Sequence, residues 1–309
     1  MPPADGRSAR PPVILCAGIA VLDQVFRLDH FPGPQEKSQA HAFVTVGGGC
    51  AANAAVAAAR LGGVARMTGP IGGPRGDDMI GDRILAGLAR EGVDCTGLVR
   101  VEGVPSSISA ILVDASGERI IVNFRDERLA VARPADPDAL VASADAVLAD
   151  NRFPDFVLPI CTAARARGLN VVIDADKPTH EGDALIEIAT HVVFSAEGLR
   201  AIGDHDDLAV ALEQVAQRSP AFLTVTDGAR GALWRDRGRL EHLPAFEVRA
   251  VDTLGAGDVF HGAFTLALAE GRTERDALRF ASAAAAVKCT RFGGIAGAPT
   301  RAEVEPLLI

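Results

Sequence analysis

What most constrains this chain is an alternation of short apolar runs with longer stretches of helical periodicity, repeated over most of its 309 residues. Val13–Ile19 (VILCAGI), 146–149 (AVLA), 170–174 (NVVID), 191–194 (HVVF) and 221–226 (AFLTVT) are short and almost wholly apolar, as strands buried on both faces must be. Ala65–Thr68 reads as a further strand. Between them, Ala51–Leu61 reads as a helix stopped by Gly62 and Gly63, and 77–92 places Met79, Ile80, Ile84, Leu85 and Leu88 on one helical face. Strands alternating with helices predict a mostly parallel sheet covered by helices.

One region breaks the alternation. SISAILV (107–113), DASG and ERIIVNF (118–124) read as two strands and a tight turn. With HAFVTV (41–46) and VFRLD (25–29) they predict a small separate sheet, placed as a lid over a cleft at the strand ends. A second hairpin over 231–243 reads as a sheet edge or nucleotide-side wall.

Composition removes several classes of function. A formal net charge of −9 argues against a nucleic-acid or anionic-membrane surface, which demands clustered Lys and Arg. Cys16, Cys50, Cys95, Cys161 and Cys289 are scattered, with no Cys-x-x-Cys pair, so they read as reduced thiols in a cytoplasmic protein without a zinc site. Residues 1–12 (MPPADGRSARPP) lack the apolar core of a signal peptide and read as a disordered lead-in to a single domain over 13–309. No apolar stretch is long and charge-free enough to span a bilayer.

Two glycine-rich stretches carry the chemistry. In TVGGGCAANAAVAAARLGG, Gly47, Gly49 and Ala52 fit the dinucleotide fingerprint Gly-x-Gly-x-x-Gly/Ala. That motif needs an acidic residue about 20 positions on. The next strand, ARMTGP, supplies Arg66 instead, which by itself leaves a 2′-phosphate reading open.

The second stretch is VRAVDTLGAGDVFHGAFTLALAEG, where an extended run enters Asp252-Thr253-Leu254-Gly255-Ala256-Gly257-Asp258 and then an apolar helix over Asp258–Ala269. Gly255, Ala256 and Gly257 leave the helix N-terminus uncovered, so their N–H groups and the helix dipole form an anion hole. Asp258 sets a carboxylate beside it. An anion hole next to a base is what phosphoryl transfer requires. The plain alternative is a Gly-rich turn with Asp258 as a helix cap.

DTLGAGDVFHGAF and GGGCAANAAVAAARLG, in this order and at this separation, resemble the two signatures of the ribokinase-like (PfkB) carbohydrate kinases over roughly residues 13 to 300. The resemblance implies a three-layer α/β/α sandwich with a mostly parallel central sheet and a small β-sheet lid. It implies Asp258 as the base that deprotonates a sugar hydroxyl, and Gly255, Ala256 and Gly257 as the hole for the transferred phosphoryl group. It implies Asp23, Gly48, Gly49 and Asn53 on the sugar, and Thr226, Gly228 and Gly231 on the nucleotide phosphates. The helix FASAAAAVKCTRFGG would wall the adenine. A monovalent cation such as K+ would sit near Asp252 and Leu254, against the segment Arg291 to Gly294. ATP with Mg2+ is the expected cofactor, but the family's Asn-x-x-Glu motif is altered to Ser195 and Gly198, leaving Glu197 as a displaced candidate ligand acting through water. The three glycines of the first stretch then become a sugar floor, and the likeness to a cofactor loop is coincidental.

Within the family, TVGGGCAANAAVAAARLG, SGERIIVNF and VLADNRF are similar to the 6-deoxy-6-sulfofructose kinases, and more distantly to the ketohexokinases. By that resemblance Lys37, Asn123 and Arg152 would cradle a sulfonate. Cys50 stands where ribokinase-like members place Lys, which weakens a pentose reading. Fructokinase, ribokinase and 2-keto-3-deoxygluconate kinase remain alternatives, as does a non-catalytic sugar- or nucleotide-binding regulator on the same fold. A homodimer through the lid strands is expected, because a lid sheet exposes edges.

Overall fold

A computed structural model describes residues 10–177, 183–236 and 238–309. Of the lead-in expected over 1–12, residues 1–9 lie outside the described residues. Residues 10–12 are already tied to the domain: Arg10 pairs with Asp145 at 2.9 Å, and the Pro12 carbonyl accepts from Val64 N at 2.8 Å.

The alternation resolves into a nine-stranded sheet. Its strands are β1 (Val13–Ala17), β4 (Val64–Gly73), β5 (Asp94–Glu102), β8 (Ala146–Asp150), β9 (Asn170–Ala175), β10 (His191–Ser195), β11 (Phe222–Thr226), β12 (Ala232–Asp236) and β13 (Arg239–Leu243). Their spatial order is β13-β12-β11-β10-β9-β8-β1-β4-β5. All pairs from β11 to β5 are parallel, and β12 and β13 close one edge as the expected antiparallel hairpin.

Period-two alternation sends successive side chains to opposite faces. Ile14 and Cys16 of β1 join one core cluster with the helices Cys50–Arg60, Ala256–Ala269 and Glu274–Cys289. Leu15 and Ala17 join the other, with the helices Pro154–Ala166 and Leu208–Ala216. Both faces are buried, which is why these strands read as unbroken apolar runs, and the result is a three-layer α/β/α sandwich.

The small sheet has four strands in the order β3-β2-β6-β7: β2 (Val21–Arg27), β3 (Ala42–Gly48), β6 (Ser107–Val113) and β7 (Arg119–Phe124). Strand β2 begins earlier than the expected 25–29, so Asp23 lies on a lid strand, between Val46 and Ser109.

Other expectations need correction. Strand β4 runs on from Thr68 to Gly73 through Pro70, because β1 ends opposite Thr68 and leaves that edge without a partner needing the missing N–H. Strand β5 was not foreseen; as an edge strand carrying Gly97 and Arg100 it needs no continuous apolar run. On the helix Met79–Arg90, Ile84 and Leu88 are buried while Met79, at its first position, is 75% exposed. The helix expected over Asp258–Ala269 begins at Ala256, with Gly255 as its N-cap.

Candidate active site

A cleft of about 620 Å³ opens at the carboxyl ends of β1, β8, β9, β10 and β11, where an open parallel sheet offers its crevice. Three of those strands deliver a polar group there, Asp174 from β9, Ser195 from β10 and Thr226 from β11, while Asp150 at the end of β8 is buried beneath the cleft wall. The lid covers the same space with Asp23 of β2, Ser109 of β6, and Ile121 and Asn123 of β7.

At the base of the cleft the turn after β1 meets the turn from β3 into the helix Cys50–Arg60. Gly49 caps the helix Cys50–Arg60 with φ 92°, and a Cβ there would lie 2.6 Å from the Ile19 carbonyl. Only glycine allows that approach. One buried carboxylate fastens the whole corner: Asp150 accepts from Ile19 N at 2.7 Å, Ala51 N at 3.2 Å and Arg152 N at 3.0 Å. A Cβ on Gly48 would lie 2.0 Å from Asp23 Oδ2, so that glycine makes room for the Asp23 carboxylate rather than forming the cleft wall.

Asn53, one turn into the helix, donates from Nδ2 to Asp258 Oδ2 at 2.7 Å. This ties the two glycine-rich stretches together across 205 residues. Asp258 borders the cleft on one side, and the rest of its carboxyl is packed against protein and near other acids. Burial, opposed by the Asn53 hydrogen bond and reinforced by Asp176 and Asp23, pushes its pKa up to about 6. Asp23 is likewise raised to about 6 by burial, against the opposing Ser109 hydrogen bond. Asn123 Nδ2 donates to the same Ser109 hydroxyl at 3.0 Å, so a polar chain runs from β7 to the Asp23 carboxylate.

At the helix N-terminus, Gly255 (φ 77°) and Gly257 line the cleft, and a Cβ at Gly257 would meet open space. Ala256 does not line it: its N–H is bound by the Thr253 carbonyl at 3.2 Å. Of the three residues expected to form an anion hole, Gly255 and Gly257 thus line the cleft and Ala256 does not. Of the expected nucleotide loop, Thr226 lines the cleft. Gly228 and Gly231 lie in the turn beyond it, where a Cβ on Gly231 would lie 2.0 Å from the Leu243 carbonyl. Among the described residues, none from the helix Glu274–Cys289 lines this cleft. Glu197 does, beside Ser195, whose hydroxyl caps the helix Ala196–Gly203 by accepting from Gly198 N at 3.0 Å.

Of the three residues expected around a sulfonate, Asn123 and Arg152 line the cleft. Lys37 does not; it is exposed, in the largely exposed segment 29–41 between β2 and β3. Arg152 forms an ion pair with Asp176.

Sequence reasoning missed Asp150, Asp174, Asp176, Lys177 and Arg119. The first two had a legible signal, an acid closing an apolar parallel strand. Asp174 is fully enclosed, so burial and then the charges of Asp176 and Asp258 hold its carboxyl well above the ordinary range. Cys50, Asp174 and Asp258 each place a donor atom within 4.8 Å of the others, but burial and four surrounding carboxylates keep the Cys50 thiol protonated.

Comparison with known proteins follows the same outline. A family model described as "pfkB family carbohydrate kinase" matches residues 12–301. The ribokinase of Bacillus subtilis is 31% identical over 96% of this chain and 99% of its own length. A solved putative ribokinase from Agrobacterium tumefaciens superimposes with a TM-score of 0.92 at 39% identity, over 96% of this chain and 97% of that one. A solved fructokinase with bound ATP from Xylella fastidiosa superimposes with a TM-score of 0.76 at 27% identity, covering 96% of this chain and 98% of that one.

Proposed function

The chain belongs to the pfkB family of carbohydrate kinases, and from that premise we propose that it transfers the γ-phosphoryl group of ATP to a primary hydroxyl of a sugar. The observation that carries this reading is the meeting of Asp258, Asn53, Gly255 and Gly257 at one point of the cleft, with Asp23 facing it from the lid.

In this reading the sugar lies on the floor at Gly49, with two of its hydroxyls donating to the Asp23 carboxylate. Asp258 accepts the proton of the primary hydroxyl as that oxygen bonds to phosphorus and the bond to the ADP oxygen breaks. Charge on the equatorial phosphoryl oxygens faces the backbone of Gly255 and Gly257 and the positive end of the helix Ala256–Ala269. A carboxylate with a pKa near 6 is ionised at neutral pH yet more basic than an exposed Asp, which suits it to this transfer. Asn53 Nδ2 holds the carboxylate in place. The bound nucleotide lies along Thr226, with the Gly228–Gly231 turn beside it.

Mg2+ would neutralise the nucleotide phosphates. Asp174 Oδ1 and Asp176 Oδ1 are buried carboxylate oxygens without a hydrogen-bond partner, and Glu197 adds a third acid to the wall. Such hard oxygen donors fit Mg2+ held partly through water.

For the substrate, we place a ketose bearing an anionic tail, such as 6-deoxy-6-sulfofructose, first. A sulfonate would meet the Arg152 guanidinium and the Asn123 amide, with the exposed Lys177 ammonium replacing Lys37 in that role. The Arg152–Asp176 ion pair favours a second reading, a neutral sugar such as fructose or ribose, because Asp176 already balances that guanidinium. Initial rates with sulfofructose, fructose and ribose separate the two. The first reading expects sulfofructose to lead in kcat/KM and Arg152→Ala to abolish its lead; equal values for sulfofructose and fructose would sink it.

The lid supports a second copy of the chain as partner. Phe43, Ile120, Ile121, Val122 and Phe124 are all exposed on β3 and β7, the two edges of the small sheet. Sedimentation equilibrium tests this: a dimer that Val122→Lys dissociates is expected, and a monomeric wild type would refute it.

A further inference from the structure

A monovalent cation expected near Asp252 and Leu254 does not fit the residues found there, because a lysine of this chain already fills the position. Lys288, on the last turn of the helix Glu274–Cys289, is among the largest fully buried side chains of the protein. Its Nζ donates to the Asp252 carbonyl at 2.8 Å and lies 3.3 Å from Asp252 Oδ2 and 3.5 Å from the Arg291 carbonyl. These are the carbonyl and carboxylate oxygens that would otherwise surround a potassium ion. The Asp252 carboxylate is also fully used: Leu254 N donates to Oδ1 at 2.8 Å, and Gly293 N and Gly294 N to Oδ2 at 2.9 and 3.0 Å. With the ammonium these make four donors, about the number of lone-pair sites a carboxylate offers. Burial lowers the Lys288 pKa, and the Asp252 charge opposes that.

We propose that the Lys288 ammonium is a built-in monovalent cation, which locks the loop from Asp252 to Gly255 and makes the protein independent of potassium. An ammonium and a potassium ion carry the same charge at nearly the same radius, so a tethered ammonium satisfies the same oxygens and cannot dissociate. Lys288 acts as a positioning residue. It touches no reacting atom, but it fixes the carbonyl of Asp252, three residues before the glycine that opens the helix Ala256–Ala269. The effect on phosphoryl transfer rests on the kinase reading above; occupation of the site does not.

Two readouts test the proposal, one of them free of any assumption about the reaction. Melting temperatures of the wild type and of Lys288→Ala are measured in tetramethylammonium, sodium, potassium and ammonium chloride at equal ionic strength. Wild-type stability is expected to ignore the choice of cation. The variant is expected to melt lower in tetramethylammonium and to regain stability with potassium or ammonium, as ligand binding to the folded state alone requires. Rates of ATP-dependent phosphorylation, measured alongside, should change by less than about twofold in the wild type. In the variant they should fall by about tenfold or more and recover with potassium, a size usual for coupling between two sites. Potassium activation of the wild type by about tenfold, or a folded variant that no cation rescues in either readout, would overturn the proposal. If Lys288→Ala does not fold, the wild-type cation series decides alone. Loss of all sugar phosphorylation in the wild type would refute the kinase reading and leave the melting series to decide on Lys288.

Discussion

Asp258→Asn should trade activity for stability. The Asp258 carboxyl, ordinarily ionising near 3.8, is pushed up to about 6. The sign follows from proton linkage: the folded state holds this proton more tightly than the unfolded one, so ionising it costs stability. The cost is absent below the unfolded value, grows between the two, and is fully present above about 6. Two pKa units correspond to about 3 kcal/mol; one side of the carboxyl faces the open cleft, which brings the figure to about 1–2 kcal/mol. Asparagine removes the charge, and its carbonyl can still accept from Asn53 Nδ2. Urea unfolding of wild type and variant at pH 7.5 and at pH 4 reads the difference. The variant is expected to be the more stable at pH 7.5 by about 1–2 kcal/mol, with the advantage fading at pH 4. Its kcat should fall by about 10²–10⁴-fold while sugar binding by calorimetry survives. A variant less stable than wild type at both pH values would refute the burial argument. Retained turnover would refute the role of Asp258 as the base.

Replacing Asn53 by Ala removes the hydrogen bond that holds the Asp258 pKa down, so the acid limb of the kcat/KM profile should move to higher pH; an unmoved limb contradicts the contact. Asp23→Ala should raise the sugar KM by about 10–100-fold, the worth of hydrogen bonds to a charged acceptor, and leave the ATP KM unchanged in two-substrate kinetics. Gly49→Ala should cost about 1–3 kcal/mol in thermal unfolding, because it forces a side chain onto a positive φ against the Ile19 carbonyl; a melting point equal to wild type would show that the floor can yield.

Much of this was legible before any coordinates. Strands buried on both faces announce themselves as apolar runs, so β1, β8, β9, β10 and β11 could be found, and the lid hairpin betrayed itself by the turn at Asp114 to Gly117. The pairing of the two glycine-rich stretches was foreseeable only through family resemblance. Nothing local says that Asn53 will meet Asp258, since their contact is made by sheet order. Strand β5 was hidden because an edge strand may be polar, and the second half of β4, from Gly69 to Gly73, because Pro70 looks like a breaker until its unpaired edge is seen. Arg152 lines the cleft, but nothing near it in sequence names its partner: of the acids close by, Asp155 pairs with Arg133 and Asp150 accepts from the Arg152 backbone, and it is Asp176 that takes the guanidinium. Lys37 failed because a lysine in a long loop carries no information about its reach. Lys288 had a signal that went unused, a single charge inside the alanine run AAAAVKC, where a charged side chain is buried only if something holds it.

Phosphorus NMR of the complete reaction tests the central claim most directly. Wild-type protein is incubated with ATP, Mg2+ and each sugar of a ketose and pentose panel, and ADP and sugar phosphate are counted in the same tube. With at least one sugar, the account predicts a phosphomonoester on a primary carbon, formed in equal amount to ADP and lost with Asp258→Asn. No sugar phosphate from any member of the panel, or ADP formed without one, would contradict it.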